Sequence, residues 1–191
     1  MRIDTSIIIK HCDKVYEPAE DTYLMIESLV VKCGEKVVEI GSGTGIISLH
    51  CAKAGAEVTA VDISEDAVDC TRLNSARNSL DLKVLRSDLL ENVNGKFDLI
   101  IFNPPYLPNA EQQDLRWSGG PSGLDVIRRF LECAGEHLEK DGRIVLALSS
   151  LASYPEFEKF FSEFGFEARI VCGKRLFFET ICVVELRTKS T

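Results

Sequence analysis

The chain has no Cys-x-x-Cys pair, no run of lysines and arginines, no apolar stretch long enough to cross a membrane and no low-complexity tract. Each absence removes a class of protein. The seven cysteines, at positions 12, 33, 51, 70, 133, 172 and 182, are odd in number and widely spaced. This argues against a zinc site or a disulfide framework and predicts reduced thiols in the core. His11 and Cys12 are adjacent, but no partner pair stands at metal-ligand spacing, so no metal is expected. Lysine and arginine number 22 against 30 acidic residues, a formal charge of −8. Such a chain does not gather phosphates by bulk electrostatics, which disfavours a dedicated nucleic-acid binder. The apolar stretch near the N-terminus, Ile7 to Ile9, is too short for a signal segment or a membrane span, and residence in the cytoplasm is expected. With no linker or repeat, the 191 residues fit a single domain, 1–191. A domain of this size buries roughly 70% of its unfolded surface, enough for one core.

What is present is an alternation of short apolar runs with helical patterns. KVVEI (36–40), EVTAVD (57–62), FDLIIF (97–102) and RIVLAL (143–148) are nearly continuous in apolar character, as suits parallel strands buried on both faces. DLKVLRSD (81–88) reads as a further strand. Leu124, Ile127, Leu131, Ala134 and Leu138 step by three and four, one stripe of a helix. Phe157, Phe160, Phe161 and Phe164 form another, with Pro155 near its start and Gly165 past its end. This order predicts an α/β fold, a doubly wound, mostly parallel sheet. Residues 166–187 instead hold two extended runs without an intervening helix, and Gly173 to Arg175 reads as the turn of a hairpin, so the last strand should run antiparallel. The one long irregular stretch, 106–122, is of a length more often functional than idle.

Glycines stand at 41, 43 and 45, directly after the first strand. They allow a tight turn and close approach by a ligand. The dinucleotide fingerprint needs its third glycine at position 46, which is Ile46; a pyrophosphate cofactor is therefore disfavoured. Asp62 ends the second strand, where a carboxylate can accept two hydrogen bonds from a ribose. Asp88 follows the third and could receive an exocyclic amine. A tight strand-to-helix turn alone explains the glycines. It does not explain acids at 62 and 88 and an amide at 103, each at the end of a successive strand.

The segment DLIIFNPPYLP places Asn103, Pro104, Pro105 and Tyr106 at the exit of a buried strand. The Asn103 oxygen and the Pro104 carbonyl can each accept one N–H of a planar –NH2 group. Tyr106 offers a flat face with a polar tip to cover that plane. An amide or aromatic amine is a poor nucleophile because its lone pair is delocalised. Acceptors fixed in advance for the positive charge that develops on nitrogen relieve this in the transition state, and alignment supplies the rest.

These residues carry a resemblance. The chain resembles the class I S-adenosylmethionine-dependent methyltransferases, and among them the HemK-type protein glutamine methyltransferases of the archaeal and eukaryotic branch. The matching stretches are VYEPAEDT (15–22), VEIGSGTG (38–45), FNPPY (102–106) and WSGGPSGLDVIRRF (117–130). The resemblance covers almost the whole chain and implies a seven-stranded, Rossmann-like sheet. It implies that Thr22, Glu39, Gly41, Gly43, Asp62, Asp88, Leu89 and Asn103 contact S-adenosylmethionine, and that Asn103 with Pro104, Pro105 and Tyr106 serves the substrate amide. Asp21 reads equally well as an acid at a helix start. By the same resemblance the substrate is the Gly-Gly-Gln loop of a class 1 release factor. About 34 residues precede the first strand, where bacterial relatives carry a helical docking domain. The branch without that domain works as a heterodimer with a small zinc-containing activator subunit, expected here on the edge strand around Leu80, Leu82, Val84 and Leu85. The alternative reading is methylation of an exocyclic amine of adenine or guanine in nucleic acid, against which the negative charge counts. A binding module without chemistry would tolerate a degraded glycine loop or NPPY, and both are intact.

Overall fold

The computed structural model describes residues 1–105, 124–150, 157–177 and 179–189. Tyr106, the Trp117 segment and Pro155 lie outside them. Seven strands form one sheet: β1 (Lys36–Ile40), β2 (Glu57–Asp62), β3 (Lys83–Arg86), β4 (Phe97–Phe102), β5 (Leu138–Ser149), β6 (Phe166–Arg175) and β7 (Thr180–Thr188). Their order is β3-β2-β1-β4-β5-β7-β6, with β7 antiparallel to both of its neighbours. The expected parallel sheet ending in an antiparallel hairpin is thus present.

Continuous apolar runs become interior strands because both faces of the sheet are covered. Along β4, Ile100 and Phe102 belong to the core on one face and Leu99 and Ile101 to the core on the other. The helices are α1 (Glu20–Ser28), α2 (Ile46–Lys53), α3 (Glu65–Asn78), α4 (Asp125–Ala134) and α5 (Phe157–Glu163). Met25 and Ile26 of α1 and Ile47 of α2 join the second core, while Ile127 and Phe130 of α4 and Phe160 and Phe161 of α5 fill the first. Phe130 meets Phe102, the residue before Asn103, edge-on with ring centres 5.2 Å apart. Burying a side chain of this size contributes roughly 1.5–3 kcal/mol, which keeps the end of β4 in place.

Three expectations need correction. Leu138 is not on a helix: α4 ends at Ala134, a 3-10 turn spans Gly135–His137, and Leu138 begins β5. Residues 173–175 do not form the hairpin turn. They lie in β6, and beyond its end Leu176 N–H donates to the Glu179 carbonyl at 2.7 Å. A Cβ on Gly173 would sit 3.4 Å from Cys182 Sγ, an ordinary contact. Finally, Cys12 and Cys70 form a disulfide, and only Cys51 remains as a fully buried free thiol. The two cysteines are 58 residues apart, so no local spacing marks them. They meet because Asn74 and Asn78, one turn apart on α3, bind the N-terminal arm. Asn74 accepts from Lys10 N at 2.7 Å and donates to the Lys10 carbonyl at 3.1 Å, and Asn78 pairs with both backbone groups of Ile8 at 2.9 Å.

Candidate active site

The strand order reverses direction between β1 and β4, the place where ligands bind in open α/β sheets, beyond the carboxyl ends of the strands. Register fixes the geometry there. Ile40 pairs with both Val61 and Phe102, so Gly41, Asp62 and Asn103 leave the sheet side by side. Asp62 pairs with Arg86, which puts Asp88 just beyond.

The glycine loop is held from below and from the side. Gly41, Gly43 and Gly45 have φ of 68°, 54° and 79°. At Gly45 a Cβ would come within 2.9 Å of Thr71 Cγ2, so both conformation and space demand glycine. Thr71 Oγ1 donates to the Gly43 carbonyl at 3.0 Å, and Asn74 Nδ2 donates to the Thr44 carbonyl at 3.0 Å. Both residues are completely buried on α3. Sequence reading misses them, because a threonine and an asparagine inside a helix look like ordinary solvent-facing residues.

Two acids sit behind the loop. Glu39 Oε2 accepts from Ser48 N at 2.9 Å and from Ser48 Oγ at the start of α2. Burial pushes its carboxyl up to about 8, with a smaller push from the neighbouring Asp62 charge. Asp62 Oδ2 accepts from Gly43 N at 3.0 Å and Oδ1 from Ser64 N at 2.9 Å. Its carboxyl is also raised, by burial, against the lowering effect of those N–H groups. Asp88 is bridged by Arg129 of α4 at 2.8 Å, and that ion pair raises the arginine's pKa further. Leu89 follows in the left-handed region at φ 48°, strain of the kind that collects at functional sites.

The acceptor side is built differently. Asn103 Nδ2 donates to Asp21 Oδ2 at 2.7 Å, across 82 positions of sequence. Asp21 is 2% exposed in the first turn of α1. Its other oxygen accepts from Thr22 N at 2.7 Å and from the Tyr16 hydroxyl at 2.8 Å. Asn103 Oδ1 is buried and, among the described residues, has no hydrogen-bond partner. An unpaired buried carbonyl oxygen is costly unless a ligand donates to it. Pro104 is buried beside it. Thr22 Oγ1 faces the helix start, 3.4 Å from Ala19 N and 3.3 Å from Asp21 Oδ1. Tyr106 lies outside the described residues. The structure therefore gathers Gly41, Gly43, Asp62 and Asn103 at one place, with Asp88 and Leu89 beyond β3 and Glu39 beneath. It adds Asp21 and Tyr16, whose role only the tertiary fold reveals.

Residues 17–174 match the methyltransferase small domain family. The chain belongs to that family. Over 185 residues, 93% of its length, the methyltransferase is 38% identical to a Methanocaldococcus jannaschii protein named as a putative protein N5-glutamine methyltransferase, covering 94% of that relative. It is 36% identical over 138 residues to the release factor glutamine methyltransferase of Deinococcus radiodurans, matching 66% of this chain and 50% of the bacterial enzyme. Among solved structures, the Mtq2–Trm112 complex of E. cuniculi, responsible for methylation of the eRF1 translation termination factor, superimposes with a TM-score of 0.74 at 26% identity. The match covers 92% of this chain and 99% of the other. No helix among the described residues is long and apolar enough to cross a membrane, and no group of three or more His, Cys, Asp or Glu among them could hold a metal ion.

Proposed function

We propose that this methyltransferase moves a methyl group from S-adenosylmethionine to the side-chain amide nitrogen of a protein glutamine, in the Gly-Gly-Gln loop of a class 1 release factor. The observation that carries the reading is the buried Oδ1 of Asn103, without a hydrogen-bond partner among the described residues. It is an acceptor in a place where an incoming N–H would satisfy it. The relatives named for glutamine methylation support the same reading.

The residues fit the cofactor. Asp62 and Asp88 provide carboxylates at the strand ends for ribose hydroxyls and an exocyclic amine. The pair Glu39 and Asp62, both with raised carboxyls, would be relieved by a cation, and S-adenosylmethionine carries one on sulfur. When bound, it supplies a methyl carbon made electrophilic by that cationic sulfur. Asn103 Oδ1 and the Pro104 carbonyl then accept the two amide hydrogens of the substrate and fix its nitrogen. As the N–C bond forms and the S–CH3 bond breaks, with neutral S-adenosylhomocysteine as the leaving group, positive charge would develop on nitrogen, and both acceptors would stabilise it. The nitrogen would afterwards give one proton to solvent water, leaving a neutral N-methyl amide.

The experiment is methylation of a release factor and of its Gln→Asn and Gln→Glu forms, beside adenine-containing oligonucleotides at matched salt. Asparagine is one methylene short, so its nitrogen falls on the order of 1 Å away, which costs about 10²-fold. Glutamate has no –NH2 to methylate. Faster labelling of the oligonucleotide than of the glutamine protein would favour the nucleic-acid reading instead.

A small activator subunit belongs to this proposal. β3 is a sheet edge, with Leu82, Val84 and Leu85 half-buried along it. An edge strand beside an apolar margin favours pairing by another chain. Val84→Asp should abolish co-purification of the activator while the chain still folds; retained co-purification would move the interface elsewhere.

A further inference from the structure

The Asp21–Asn103 contact has a direction that chemistry enforces. An ionised carboxylate only accepts. Whatever faces Asp21 Oδ2 at 2.7 Å must therefore be the amide nitrogen of Asn103, and Oδ1 must take the other side. Asp21 has no freedom to answer otherwise, because its Oδ1 is engaged by Thr22 N–H, which can only donate, and by the Tyr16 hydroxyl. The arm and the first turn of α1 hold Asp21, and Asp21 holds the asparagine.

Resting on the glutamine reading above, we infer that Asp21 is a positioning residue that sets the polarity of the acceptor pocket. By tying down the nitrogen of Asn103, it leaves the pocket with an oxygen and no donor. Such a pocket admits the –NH2 end of a glutamine and rejects a carboxylate or a carbonyl. An asparagine that could rotate would present its nitrogen in some fraction of molecules, and a glutamate side chain would bind that form. Selection of amide over carboxylate is thus built into a residue that never touches the substrate.

Asp21→Asn tests this with almost no change of shape. The new side chain must keep its oxygen toward Thr22 N–H, so its nitrogen faces Asn103. Asn103 then turns its oxygen inward and its nitrogen outward, and the pocket is inverted. Turnover of the release factor should fall about 10²–10³-fold, with cofactor affinity by calorimetry and thermal stability close to the parent. The Gln→Glu release factor, a poor competitor for the parent, should inhibit the variant about tenfold more strongly or better. The double variant Asp21→Asn with Asn103→Asp restores an outward oxygen, because the new amide nitrogen at position 21 donates to one carboxylate oxygen of residue 103. It should recover about tenfold or more in rate over either single variant. A purely structural role for Asp21 would give neither the reversed inhibition nor the recovery.

The inference fails if Asp21→Asn turns over near the parent rate, or if its loss comes with unchanged discrimination and no recovery in the double variant. Should the single variant not fold, the double variant compared with Asn103→Asp alone decides by the same recovery. Failure of the function reading shows up separately, in the parent: no methylation of the glutamine protein, with labelling of a nucleic-acid amine. The same variants assayed on that amine would still report the pocket's polarity.

Discussion

The two halves of the site are held by different kinds of bond. On the glycine-loop side, Glu39 and Asp62 accept from backbone N–H groups close to them in the fold, at Ser48, Gly43 and Ser64. On the acceptor side, Asn103 is fixed by a side chain from α1, and that side chain in turn by Tyr16 of the arm. The first half is built by β1, α2, β2 and α3, which follow one another in the chain, with Thr71 and Asn74 of α3 bonding the loop carbonyls. The second exists only when two distant segments meet. Ligand affinity should therefore belong to the first half and the chemical step to the second, and mutation can separate them.

Asn103→Ala makes the sharpest cut. Turnover should fall about 10²–10³-fold, as for removal of one preorganised polar group, while cofactor affinity by calorimetry stays within a factor of about two. A comparable loss in both would erase the distinction between the halves. Cys70→Ser comes next. Opening a covalent loop of this size removes about 2–4 kcal/mol, a fall of roughly 5–15 °C in Tm, and loosens the arm that supplies Tyr16. Scanning calorimetry with and without reductant should give the parent, once reduced, the Tm of the variant. A parent Tm indifferent to reductant would leave the arm held by Asn74 and Asn78 alone. Asp62→Ala should weaken cofactor binding roughly tenfold, the worth of a hydrogen bond to a charged group, with a smaller effect on turnover at saturation. Unchanged affinity would remove Asp62 from the site.

The remaining effect is one of pH. Glu39 in the folded chain titrates at about 8, above its ordinary value of 4.5. Between those values the folded state holds a proton that the unfolded state lacks. The stability this contributes is complete below about 4.5 and is lost as pH rises through about 8. The raised carboxyl of Asp62 acts in the same sense. Glu39→Gln keeps an acceptor for Ser48 N–H and has nothing to titrate. Between about pH 5 and pH 8 its Tm should fall by clearly less than the parent's. Parallel melting curves across that range would show that Glu39 titrates normally.

Legibility in the sequence follows the same division. The bounds of β1, β2 and β4 are readable to the residue, because burial on both faces leaves unbroken apolar runs. The glycine loop and Asp62 are readable because spacing along one strand–turn–helix unit is a local property. Leu138 is misplaced by pattern alone because the helical stripe continues past Ala134 for one more step, and only the 3-10 turn ends it. Gly173 misleads because glycine suggests a turn, yet this one lies within β6. Asp21 is ambiguous between a helix-start acid and a site residue, and it is both: its backbone lies in the first turn while its carboxylate binds Asn103. No pattern in one dimension separates those two uses. The pairing of Cys12 with Cys70 is hidden for the same reason, since it depends on Asn74 and Asn78 catching the arm.

That disulfide closes a covalent ring from residue 12 to residue 70. Within the ring lie α1, β1, α2 and β2, and with them Tyr16, Asp21, the glycine loop and Asp62. Asp88 and Asn103 lie outside. Synthesis proceeds from the N-terminus, so the ring can form and close while β4 has yet to be made. In that interval β1 has β2 on one side and nothing on the other, with the backbone of Val37 to Ile40 exposed along an open edge. The last piece of the pocket to arrive is the strand that fills this edge, and it brings Asn103 to an Asp21 already tethered in place. A chain stalled before residue 97 would thus hold a covalently closed glycine loop beside a naked strand edge. It would be a half-site whose open edge is free to pair with other strands.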